Sequence, residues 1–182
     1  MASPIKSYVP YSFFLIALLV GPSSLTTAAD FSSSVCTGTL DPSRCFQVIK
    51  TIPGGGQAAS LESLCGTAIS FSLSKGNQFH KYVQSLAAST NNPKLKQVYS
   101  TCAENYDDFI GNLQSAQGML KRKDYNGVST MASSSMTEVD TCSDSFKERS
   151  AADPSRLIDT NKYYYTLSLI ILRISNKLGG AV

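Results

Sequence analysis

The sequence predicts an all-α protein: an up-down-up-down four-helix bundle with a short, disulfide-tied helical extension at its N-terminus. Three observations carry this. Apolar residues recur at alternating spacings of three and four, the period of a helix seam, and no segment alternates with the period of a strand. Pro and Gly cluster where helices must stop. Two cysteines stand at equal distances from a polar turn, as a helical hairpin requires. At 182 residues, 42% of them hydrophobic, the chain has the length and composition of one ordinary globular domain.

Before the first helix, Lys6 precedes an apolar run from Phe13 to Val20, followed by the small residues Thr26, Thr27, Ala28 and Ala29. This order is that of a secretory signal, with cleavage expected after Ala29. A run of eight falls far short of the roughly 20 residues that span a bilayer. Residues 1–29 are therefore expected to be removed. Residues 30–182 form the working domain, divided into an N-terminal helical extension and linker (30–56) and the bundle (57–180).

An exported chain uses cysteine for disulfides more than for metal or redox chemistry. The five are Cys36, Cys45, Cys65, Cys102 and Cys142; they form no CxxC, and the one histidine, His80, adjoins none of them. No metal and no cofactor are implied.

The first helix opens at Asp41-Pro42, a capping oxygen followed by a proline at the first turn. It runs through Cys45, Val48 and Ile49 and stops before Pro53, with Gly54-Gly55-Gly56 expected as a flexible joint. A second helix starts near Ser60 and carries Leu61, Leu64, Cys65, Ala68, Ile69, Phe79, Val83 and Leu86, with a kink expected at Gly76-Asn77. Asn91-Asn92-Pro93 ends it and starts the third. That third helix has the cleanest seam: Leu95, Tyr99, Cys102, Tyr106, Phe109, Leu113, Ala116 and Leu120. Lys121 to Asp124 makes a polar turn. The fourth helix follows with Tyr125, Val128, Ala132, Val139, Cys142 and Phe146, its seam thinned by Ser133-Ser134-Ser135 and expected to pack less tightly there. A fifth begins near Asp159-Thr160, carries Tyr164, Leu167, Ile171, Ile174 and Leu178, and stops at Gly179-Gly180.

Cys102 and Cys142 each lie 20 residues from Arg122. Rising about 1.5 Å per residue up one helix and back down the next brings them side by side on facing seams. Cys36 and Cys45 form the other natural pair, around Leu40-Asp41-Pro42. Cys65 is left over as a buried, inert thiol, since nothing basic lies near it in sequence to lower its pKa.

The run from Cys102 through Tyr106, Asp107 and Asp108 to Phe109 has a family look. So do the turn Lys123-Asp124-Tyr125 and the close Thr141-Cys142 to Phe146. Together with Cys36 and Cys45, which have eight residues between them, Pro42 included, these resemble the plant invertase and pectin methylesterase inhibitor family over the whole of residues 30–182. The resemblance implies the same bundle, the disulfides Cys36–Cys45 and Cys102–Cys142, and an extracellular protein of the apoplast or cell wall. It further implies a one-to-one complex that covers the substrate cleft of a cell-wall carbohydrate-active enzyme. Invertase-directed members resemble one another in a Pro-Lys-Phe tripeptide at the tip of the disulfide-linked hairpin. Here the tip reads Lys123-Asp124-Tyr125-Asn126-Gly127, which favours pectin methylesterase (pectinesterase) as target. Cell-wall or vacuolar invertase (beta-fructofuranosidase) is the alternative, as is a family member without inhibitory activity.

Enzymatic readings fare worse. Asp107 and Asp108 point about 100° apart on a helix and cannot act as a dyad; His80 has Gly76 and Gln84, not a carboxylate, one turn away. Gly54-Gly55-Gly56 lacks the Lys and Ser/Thr of a phosphate loop. A net charge of +3, with Lys121-Arg122-Lys123 as its one basic run, is thin support for nucleic acid, and nothing points to a membrane. A lipid or small-molecule carrier would need a cavity near Ser133–Ser135, and a structural or signalling bundle is the third class. For the inhibitor reading, helical phase and the resemblance put partner contacts at Gln97, Thr101, Glu104, Asp108 and Ser115 on the outer face of the third helix. The tip from Lys123 through Asp124 and Tyr125 to Asn126 is a further contact, and the protein is expected to act as a monomer.

Overall fold

The computed structural model describes residues 28–55 and 58–180. The expected signal segment and cleavage site, apart from the backbone of Ala28 and Ala29, lie outside them. Six helices follow one another: α1 (Ala28–Cys36), α2 (Pro42–Ile49), α3 (Leu61–Ser89), α4 (Pro93–Lys121), α5 (Tyr125–Glu148) and α6 (Leu157–Leu178). α3 to α6 form the four-helix bundle; neighbours in sequence pack together, and α3 closes the ring against α6.

The helix starts are fixed by local chemistry. Ser60 accepts from the Ser63 amide, Asn92 from those of Lys94 and Leu95, Asp124 from that of Gly127, and Asp41 from that of Arg44. Each satisfies amides that the first turn leaves unpaired. α6 starts differently: Arg156 adopts a left-handed conformation (φ 57°) with no side-chain cap, so the helix begins at Leu157, slightly ahead of the expected Asp159-Thr160. Leu157 is fully buried, and that burial is the reason the chain turns there.

The core is a continuous apolar cluster along the bundle axis, from Leu64 and Ile69 on α3 through Phe109 and Leu113 on α4 to Ile170 and Ile174 on α6. α3 runs unbroken through Gly76-Asn77, where a kink was expected. Gly76 is instead buried against α4: a Cβ there would stand 2.9 Å from the Phe109 ring. On α5, Ser135 is fully buried and donates its hydroxyl to the Met131 carbonyl, while Ala132 and Val139 close the seam on either side.

α1, which periodicity did not reveal, packs with α2 as a hairpin joined by the Cys36–Cys45 disulfide (Cα–Cα 5.4 Å). The hairpin is docked on α6: Arg173 donates to the carbonyls of Val35 (3.3 Å) and Thr37 (2.9 Å), and Tyr163 shares a hydrogen bond with Thr51. As far as Gly55 the expected flexible joint is a folded run of turns. Thr51, Ile52 and Gly55 each donate to the carbonyl three residues back, and Ile52 is buried in the core. The reason is packing: an apolar side chain in the linker has somewhere to go.

Candidate functional face

The inner side of α4 is consumed by the core. Val98, Tyr99, Cys102, Tyr106, Phe109, Ile110, Leu113 and Ala116 are all buried, so helical phase leaves Gln97, Thr101, Glu104, Asp108 and Ser115 on the opposite side. Gln97, Glu104, Asp108 and Ser115 are exposed and Thr101 is half-buried. The five make one polar stripe along the helix.

Behind the stripe, Cys102 is bonded to Cys142 of α5, with Cα atoms 4.6 Å apart. Asn105 donates to Glu138 at 3.0 Å across the same helix pair. The stripe therefore rests on a cross-linked hairpin rather than on a free helix. At its N-terminal end the surface dips into a hollow bordered by Pro93, Lys96, Gln97, Ser100, Thr101 and Glu104, with Arg149 reaching in from the end of α5. Gln97, Thr101 and Glu104 share this hollow; Asp108 and Ser115 lie further along.

The tip is built differently. Lys123 turns the chain with φ 59°, and the Asp124 amide donates back to the Met119 carbonyl at 3.0 Å. Asp124 then caps α5. Tyr125 is half-buried and donates its hydroxyl to Glu62 of α3 at 3.3 Å. Two of the four tip residues thus make hydrogen bonds within the molecule, Asp124 while still exposed, and Lys123 and Asn126 are exposed as well.

A second concavity of about 580 Å³ lies between the Gly38–Asp41 loop, α5 and α6, with Leu40, Ile158, Tyr165 and Leu169 among its walls. It lies outside the bundle core, away from Ser133–Ser135, where a carrier reading would have placed a cavity. Asp140 on its wall has a pKa raised by burial and by the neighbouring Asp144.

Cys65 is free and buried. Burial, with the nearby Glu62 charge, pushes its thiol up to about 12, so the nucleophilic thiolate is suppressed. Among the described residues no group of three His, Cys, Asp or Glu side chains is placed to hold a metal ion, and no helix is long and apolar enough to cross a membrane.

Arg149, Asn105 and Glu138 were not singled out by the sequence. Arg149 reads there only as a basic residue at a helix end, a common place for one; that it overlies α4 depends on how α4 and α5 pack.

Residues 30–174 match the sequence profile of the family described as plant invertase/pectin methylesterase inhibitor. Over 174 residues, 93% of each chain, the sequence is 32% identical to a pectinesterase inhibitor of Actinidia deliciosa. It is 29% identical over 178 residues, 98% of each chain, to pectinesterase inhibitor 1 of Arabidopsis thaliana. In structure it resembles a mutant form of a pectin methylesterase inhibitor from Arabidopsis, with a TM-score of 0.71 at 30% identity, covering 80% of this chain and 95% of that one.

Proposed function

This chain belongs to the plant invertase/pectin methylesterase inhibitor family, and on that premise we propose that it is a secreted inhibitor of a plant pectin methylesterase. It binds the enzyme one-to-one and blocks its substrate cleft with the outer face of α4. The family is one of inhibitors, not enzymes, so the action is obstruction by a rigid surface.

The observation that carries the target is the similarity to pectinesterase inhibitors along nearly the whole chain. Geometry supports the mode. A side chain mounted on a cross-linked helix pair loses little freedom on binding, so less of the interaction energy is spent on ordering. The tip favours the same target, because it lacks the Pro-Lys-Phe tripeptide and turns Asp124 and Tyr125 to internal work. The family match begins at residue 30, beside the expected cleavage after Ala29, which supports export with removal of residues 1–29. Two disulfides fit an oxidising compartment such as the cell wall.

The test is a titration of protein 30–182 against a plant pectin methylesterase and a plant acid invertase at mildly acidic pH. The expected result is loss of esterase activity that saturates at one equivalent, with invertase untouched. Undiminished esterase activity at micromolar protein would overturn the reading, and inhibition of invertase alone would transfer it to the other branch of the family.

A further inference from the structure

The five arginines of the chain meet four different fates. Arg44 pairs with Asp41 and Arg156 with Asp159, and Arg173 donates to two carbonyls of the α1–α2 hairpin. Arg122 stands exposed on the polar turn. Arg149 fits none of these descriptions. It is half-buried, its Nε is cut off from solvent with no hydrogen-bond partner, and among the described residues no carboxylate lies within ion-pair distance of it.

Its place is fixed by the end of α5. The Arg149 amide donates to the Ser145 carbonyl, Ser150 turns left-handed (φ 47°), and the Ala151 amide returns to the Phe146 carbonyl at 2.9 Å. This holds the side chain over the first turns of α4, where it lines the hollow with Gln97, Thr101 and Glu104. Lys96 and Arg149 against Glu104 leave the lining of the hollow with one net positive charge.

A buried donor with no acceptor costs about 1–3 kcal/mol; a partner's acceptor reaches this Nε, shut off from solvent as it stands, by drawing the side chain out into the hollow it borders. A guanidinium already stripped of part of its hydration also loses less on meeting a carboxylate, which it can grip through two parallel N–H bonds. We propose that Arg149 anchors this face by receiving an aspartate or glutamate side chain of the target enzyme, seated in the hollow over Gln97 and Thr101. A protein surface fits better than a free anion, because the hollow opens onto the exposed polar stripe of α4, whose Gln97, Thr101 and Glu104 border it beside Arg149. This assignment rests on the proposed inhibition of a pectin methylesterase and adds the residue that carries its affinity.

The experiment has two arms. In the first, Arg149→Gln and Arg149→Lys are compared with the wild type for inhibition of the esterase and for binding by calorimetry at two salt concentrations. A buried anchor predicts about 30-fold weaker binding for the Gln variant, a weaker salt dependence, and an intermediate Lys variant that keeps charge but loses the fork. Binding within 3-fold of wild type for the Gln variant would overturn the anchor.

In the second arm, the Nε–H resonance of Arg149 is followed by NMR during titration of the wild-type protein with acetate. A saturable shift that the exposed Arg122 does not share is expected; an unmoved Arg149 resonance rejects the site even if the variants fail to fold. The arms separate the two claims. A wild type that moves with acetate but leaves the esterase active sinks the target and keeps the site; a wild type and Gln variant that inhibit equally do the reverse.

Discussion

Tyr106 is fully buried, and its hydroxyl donates to the Asn161 Oδ1 at 2.7 Å, across the bundle from α4 to α6. Asn161 in turn donates to Ser143, which donates to the Val139 carbonyl. Three helices are thereby registered by one chain of hydrogen bonds. Around it stand Phe79, Phe109 and Tyr164, with ring centroids 4.9–5.6 Å from that of Tyr106. Burial, then the neighbouring Tyr164, raises the phenol pKa well above its ordinary value, so it remains a donor. Tyr106→Phe keeps the ring and strands the buried Asn161 oxygen. We expect a loss of about 1–3 kcal/mol in urea unfolding, and a loss below about 0.5 kcal/mol would show that another donor takes its place. The seam position of Tyr106 was readable from spacing. Its acceptor was not, because Asn161 lies 55 positions away and reads locally as one more polar residue on a helix.

Gly76 makes the same point at the level of the element. Glycine inside a helix reads as a weak spot, and a kink was the natural expectation; α3 is continuous because the glycine admits Phe109 instead. Gly76→Ala gains about 1 kcal/mol of helix propensity but drives a methyl into a ring held by its aromatic neighbours, an overpacking that costs typically 1–3 kcal/mol. The expected net effect is a destabilisation of roughly 1 kcal/mol, read from the thermal midpoint; an increase in midpoint would mean that Phe109 can move aside. The cap at Asp41 and the helix starts near Ser60 and at Asn92 were legible because a cap is a bond between residues two or three apart; Asp124, read only as part of a polar turn, caps α5 in the same way. α1 was not. Its Ser32-Ser33-Ser34 run has no apolar stripe of helical period, and the burial of Val35 and Cys36 comes from the fold around it.

For the whole molecule, the Cys102–Cys142 bridge closes a loop with a sequence separation of 40. On the chain-entropy model such a cross-link restricts the unfolded ensemble by roughly 4 kcal/mol. The double substitution Cys102→Ala/Cys142→Ala should lower unfolding stability by about 2–5 kcal/mol with the helical circular dichroism retained at low temperature. A change below about 1 kcal/mol would mean that packing of α4 on α5 alone restricts the chain as strongly.

What the sequence determined by itself is what short-range chemistry encodes: the four long helices, their inner seams, their caps, and two cysteines on facing seams at equal distance from a turn. The outer polar stripe of α4 follows as the complement of its seam. What the tertiary structure alone decided is where side chains from different helices meet. It took Arg149 from the end of α5 and laid it over Gln97, Thr101 and Glu104 of α4. It also tied the Tyr125 hydroxyl to Glu62 of α3 and docked α1 and α2 on Arg173. Periodicity states which side of a helix faces the core, because burial repeats with the turn. It carries no record of the rotation and offset at which two helices pack, and those two quantities set every contact between them.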